Sequence, residues 1–149
     1  MAHKETTRIL NRHVANWNVM FVKLHNYHWY IKGPHFFTLH EKFEELYNEA
    51  AEHIDELAER LLALKGRPVA SMKVYLEEST IEEADGELNE DAMVEQLVSD
   101  FDKISNELKE DIETLEDDAD DEATADMLIA IRQSVDKHNW MLRAFLGQK

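Results

Sequence analysis

HWYIKGPHFFTLHEKFEELYNEAAEHIDELAE, residues 28–59, carries two histidines and a set of carboxylates at helical intervals, divided once by Gly33-Pro34. Proline cannot continue a helix and glycine tolerates the turn, so this pair ends one helix just after His28 and opens the next before His40. In the second helix His40 and Glu44 are four residues apart, and so are Asp55 and Glu59. Each pair therefore projects from one face, one turn apart, and suits a metal. One unbroken helix cannot join the two pairs, because at ~1.5 Å per residue His40 and Asp55 stand roughly 22 Å apart along it. They do share roughly one side of the rod, since fifteen steps of ~100° leave an azimuth of about 60°. Two copies crossing antiparallel near Asn48 to Ala51 would bring His40 of one opposite Asp55 and Glu59 of the other. Ala50 and Ala51 would let the helices approach closely there. His28, a few residues before the turn as His40 is a few after it, completes a predicted site of two imidazoles from one subunit and two carboxylates from its mate.

Outward from this stretch the apolar periodicity is helical throughout. From about Thr6 to Ile31, Leu10, Val14, Trp17, Phe21, Leu24 and His28 recur at alternating spacings of four and three. From about His35 to Lys65, Phe36, Leu39, Phe43, Leu46, Ala50, Ile54, Leu57, Leu61 and Leu64 repeat that rhythm, with Lys65-Gly66 as the stop and Pro68 beyond it. Residues 66–86 form a long connection with a short helix around Ser71 to Glu78, closed by Asp85-Gly86. A third long helix, about Asn89 to Leu115, lines up Leu97, Phe101, Ile104, Leu108, Ile112 and Leu115. A fourth, about Glu122 to Leu146, lines up Leu128, Ile131, Val135, His138, Leu142 and Phe145, and Gly147 ends it. Four amphipathic helices with one long middle connection describe an all-α, ferritin-like four-helix bundle with a short extra helix in that connection. Trp17, Trp140, Phe36, Phe37 and the methionines read most economically as core. His3, His13, His25, His35, His53 and His138 lack a comparable set of partners and read as structural or exposed.

At 149 residues the chain reads as one domain, long enough to bury a core without covalent staples. It has no cysteine, which removes disulfides, thiolate metal sites and a cysteine nucleophile. MAHKETTRIL lacks a signal-like apolar run and no later segment approaches a membrane span, so a soluble, cytoplasmic protein is expected. With 32 acidic against 16 basic side chains, the formal charge of −16 attracts cations and repels a phosphate backbone. The Glu-x-x-His pairs that collect two irons inside one subunit of familiar di-iron bundles are absent, because no histidine has a glutamate three residues before it. That absence favours a site between subunits.

His28-Trp29, Gly33-Pro34-His35-Phe36-Phe37-x-Leu39-His40-Glu41 and Asp55-x-x-x-Glu59-Arg60 closely resemble the Dps family, the mini-ferritins named as DNA-binding proteins from starved cells. The likeness runs over most of the chain, including the closing helix with Asp126-Met127 and Trp140-Met141. It implies a hollow homododecamer of tetrahedral symmetry, built from twofold dimers, with a ferroxidase centre at each twofold interface. Iron, two ions per centre, would be ligated by His28 and His40 of one chain and Asp55 and Glu59 of the other. Glu44 matches an acidic position near the second iron, and Trp29 a tryptophan beside the centre that donates electrons and limits radical escape. The resemblance further implies that two Fe(II) reduce hydrogen peroxide to water and that ferric oxide collects in the cavity.

Glu110 to Glu122, EDIETLEDDADDE, holds nine acids in thirteen residues. It reads either as a solvated loop whose last acids stabilise the next helix N-terminus, or as part of an iron-admitting pore. The resemblance places Asp121 and Asp126 near a threefold axis. DNA binding by lysine-rich tails is another trait of the family, but Lys4, Arg8, Arg143 and Lys149 are too few here for tight duplex binding. Two other readings stay open: a non-catalytic protein holding Zn(II) on the same ligands, and a structural bundle whose acidic faces only confer solubility.

Overall fold

The computed structural model describes residues 4–117 and 121–147, so His3 and Lys149, and Asp118 and Asp120 of the acidic run, lie outside the described residues. Five helices occur in order: α1 Lys4–Tyr30, α2 Phe36–Ala63, α3 Met72–Glu78, α4 Glu90–Asp117 and α5 Glu122–Phe145. Each expected helix is present with ends shifted by two residues or fewer, and no strand occurs among the described residues. The chain forms two compact units, one ending at Glu90 and one beginning at Asp91.

In the first unit α1 packs along α2, and the predicted stripes meet there. Leu10, Val14, Trp17, Leu24 and His28 of α1 are buried, as are Leu39, Phe43, Leu46, Ala50, Leu57 and Leu61 of α2. Each such leucine contributes ~1.5–3 kcal/mol relative to leaving it in water. The long connection is tied to α1 by polar side chains that the periodicity did not single out. Asn11 donates to the Arg67 carbonyl at 3.1 Å and accepts from the Val69 N–H at 2.9 Å. Asn16, fully buried, accepts from the Ser79 hydroxyl at 2.9 Å and the Thr80 N–H at 2.8 Å. Lys23, also buried, donates to the Glu82 carbonyl at 2.9 Å. Ser71 caps α3, its hydroxyl accepting from the Val74 N–H at 3.3 Å.

The end of α2 differs in detail from expectation. The left-handed residue is Lys65, with φ of 64°, rather than glycine. Gly66 N–H then bonds Leu61 O at 2.7 Å and Lys65 N–H bonds Leu62 O at 3.0 Å, the two crossed bonds of a Schellman stop. Glycine suits the next position, where a Cβ would lie 2.8 Å from Leu61 Cδ2 and 3.3 Å from Leu61 O and so would push the Leu61 side chain aside.

In the second unit all six residues of the predicted α4 stripe are buried, as are Leu128, Ile131, Val135, His138 and Leu142 of α5. Polar bonds fix the pairing. Ser105 donates to Asp136 at 2.6 Å, Asn139 donates to Asp102 at 2.8 Å, and Arg143 pairs with the same Asp102. Asp121 is the N-cap of α5, its two carboxylate oxygens accepting from the Thr124 N–H at 3.0 Å and the Thr124 hydroxyl at 2.6 Å.

The expectation that the aromatics and methionines are core holds for Trp17, Met20 and Met93 and fails elsewhere. Phe37 is 84% exposed and Trp140 63%, Met72 and Met141 are exposed, and Phe36 is half-buried. The reason is azimuth. Phe37 lies two residues from the buried Leu39, and Trp140 two from the buried Leu142, each roughly 200° round its helix from that neighbour.

Candidate metal centre

His28 lies in the last turn of α1 and His40 in the second turn of α2, and the turn between them stacks their rings at 3.7 Å between centroids, 15° from parallel. Each ring is aimed by the other residue's backbone. His28 Nδ1–H donates to the His40 carbonyl and His40 Nδ1–H donates to the His28 carbonyl, both at 2.7 Å. A carbonyl can only accept, so each Nδ1 carries a proton and, in the neutral ring, the Nε2 lone pair is the one left for a ligand. This outer hydrogen bond is the usual accompaniment of a metal-binding imidazole. His28 is 6% exposed, and its Nε2 stands 3.8 Å from Glu44 Oε1, the residue one turn beyond His40.

Aromatic rings frame the pair. Phe36, one turn before His40, stacks on it at 4.9 Å, and Tyr47 meets His28 edge-on at 5.3 Å. Tyr47 in turn stacks on His25 at 3.8 Å, and His25 lies 5.2 Å from Trp29. Sequence reading missed Tyr47, although it follows His40 by seven residues and Glu44 by three, on the same helical face. Phe36 was read as core, yet it is the ring that backs His40. Trp29 itself is 67% exposed, its ring lying against His25.

His35 has a partner that its sequence neighbourhood does not reveal. Its backbone N–H and Nδ1–H both donate to the Glu90 carboxylate, at 2.7 and 3.0 Å. Asp55 and Glu59 lie exposed on α2, fifteen and nineteen positions beyond His40, and are not brought to the imidazoles within one chain. No group of three or more potential ligands gathers among the described residues. Asp121 is engaged in its cap, and Asp126 is exposed in the second turn of α5. No helix among the described residues is long and apolar enough to cross a membrane.

The family model for the ferritin-like domain matches residues 7–149. General stress protein 20U of Bacillus subtilis is 56% identical over 144 residues, covering 97% of this chain and 99% of that protein. The crystal structure of Dps from Staphylococcus aureus superposes with a TM-score of 0.94 at 49% identity, over 97% of this chain and 96% of that one. The chain belongs to the Dps family of ferritin-like proteins. DNA protection during starvation protein 2 of Bacillus anthracis, 54% identical over 98% of this chain and 99% of its own length, stands in the same group. The fold class is accordingly the ferritin-like four-helix bundle, with α3 as the short helix of the long connection.

Proposed function

We propose that this Dps-family chain is a ferroxidase and iron store that removes Fe(II) and hydrogen peroxide together. The observation that carries the reading is the pair of reciprocal histidine bonds, which spends Nδ1 of both stacked rings on main-chain carbonyls and leaves their Nε2 atoms for a ligand, that of His28 lying 3.8 Å from the Glu44 carboxylate. In this reading His28 and His40 of one subunit and Asp55 and Glu59 of its twofold mate bind the first Fe(II), and Glu44 serves the second. Imidazole with carboxylate suits Fe(II), and an oxygen-rich surround favours the harder Fe(III) product. Two Fe(II) give one electron each to hydrogen peroxide, which takes up two protons and leaves as two waters, so no hydroxyl radical is released. The iron carries the redox change, while the side chains bind, orient and neutralise charge. Trp29 is the electron donor that intercepts a stray oxidising equivalent.

A hollow homododecamer supplies the remaining parts: the twofold interfaces that complete each centre, and a cavity in which ferric ion hydrolyses and collects. The large exposed apolar side chains Phe37, Trp140, Met72 and Leu62 support association with further copies. Asp126, repeated around a threefold axis, is the pore acid of this reading. Asp121 contributes there through the helix end it caps. The net charge of −16 makes scavenging of iron, rather than tight contact with duplex, the route by which DNA would be spared.

Stopped-flow absorbance with Fe(II) and peroxide tests the proposal. The wild type gives a fast ferric signal, and His28→Ala and Asp55→Ala each slow it by at least ~10-fold, as expected when a ligand is removed. A wild type without that signal, or variants that keep it, would leave a non-catalytic Zn(II)-type site as the better reading.

A further inference from the structure

The turn that carries the histidine pair is also gripped by a residue far away in sequence. Glu90, first residue of α4, is 9% exposed, and both its oxygens serve His35, 55 positions earlier. Its side chain occupies the space over Gly33, where a Cβ would lie 2.6 Å from Glu90 Cδ. His35 is the N-cap residue of α2 and its own side chain makes no capping bond. Helix N-termini expose amides that a nearby Ser, Thr, Asp or Asn usually satisfies. Here the acceptor arrives from another element, and its charge sits at the positive end of the α2 dipole. His40 follows five residues later on the same rigid helix, and its bond to the His28 carbonyl spans the same turn.

We infer that Glu90 is a positioning residue for the histidine pair. By holding the N-cap of α2 at one place and rotation, it sets the height and azimuth at which His40 meets His28. The inference rests on reading these histidines as metal ligands. It makes Glu90 act through hydrogen-bond reach, and that separates it from a carboxylate that attracts cations by charge alone. Glu90→Asp keeps the charge but is one methylene short of His35. Glu90→Gln keeps the reach without the charge, its carbonyl accepting the His35 N–H and its amide donating to Nδ1 of the other ring tautomer.

The test uses the assembled full-length protein. Co(II) binding is followed by calorimetry and visible absorption, and hydrogen exchange of the segment 28–40 is followed in the metal-free state. Direct hydrogen-bond partners of metal-binding histidines are worth 10–100-fold in affinity, and Glu90 acts one residue removed, through His35, so Glu90→Asp and Glu90→Ala should weaken Co(II) at the low end of that range, by about tenfold, with Glu90→Gln within about threefold of wild type. Exchange across 28–40 should rise in the same order. Wild-type behaviour in Glu90→Asp, or a Glu90→Gln protein as impaired as Glu90→Asp, overturns the inference. Should Glu90→Ala fail to fold, the Asp and Gln pair still decides it. If the wild type binds no Co(II), the ligand reading fails, and the order of exchange rates alone settles whether the clamp exists.

Discussion

At Gly33 two demands coincide: a φ of +132°, which side chains rarely adopt, and a Glu90 carboxyl group 2.6 Å from where a Cβ would stand. Alanine there must displace Glu90 and strain the turn, at ~1–3 kcal/mol for the backbone alone. Gly33→Ala should therefore lower the thermal midpoint by several degrees, read by circular dichroism at matched protein concentration. An unchanged midpoint would mean that the turn relaxes freely. That His28, His40 and Glu44 lie together was legible in sequence, because helical spacing and one short turn set them at similar heights, whereas Asp55 and Glu59 join them only in the proposed two-subunit reading. Glu90 was not legible, because its contact joins residues 55 apart and no local pattern encodes that pairing. The mutual histidine bonds were invisible for a related reason: each uses a backbone carbonyl, and every residue has one.

The helices were readable from periodicity, since four stripes of apolar residues each need a partner face. What periodicity could not convey is how the connection between α2 and α4 is held. Asn11, Asn16 and Lys23 do this from α1, with polar side chains that a stripe analysis passes over as background. Asn16→Ala would remove the buried acceptor that the half-buried Thr80 N–H and the Ser79 hydroxyl share, at ~1–3 kcal/mol. Denaturation midpoints should fall accordingly, and proteolysis should first cut between residues 66 and 86. Cleavage starting elsewhere would show that Asn16 is not what retains the segment. The same limit explains Phe37 and Trp140, which were expected inside and are exposed in the single chain. Hydrophobic character alone does not give azimuth, and one residue's shift along a helix is about 100° round it.

At the scale of the assembly, the proposed bipartite centre makes a prediction that no single-site defect tests. Chains carrying His28→Ala with His40→Ala, co-expressed with chains carrying Asp55→Ala with Glu59→Ala, form mixed twofold pairs in which one of two sites is whole. Random pairing then restores about a quarter of wild-type centres, although each parent is inactive. Ferric formation remaining at the level of the parents would place the centre within one chain and sink the shared-site reading. Charge belongs to this scale too. At −16 per chain the protein should show no tight retention of duplex DNA in a low-salt gel shift, and strong retention would contradict that expectation.

Because each of the two imidazoles is held by a main-chain carbonyl, their orientation is set by the backbone of the turn itself. In the proposed ferroxidase reading, each incoming ferrous ion would meet rings already turned toward it, and the pace of cycling would be left to the supply of iron and oxidant.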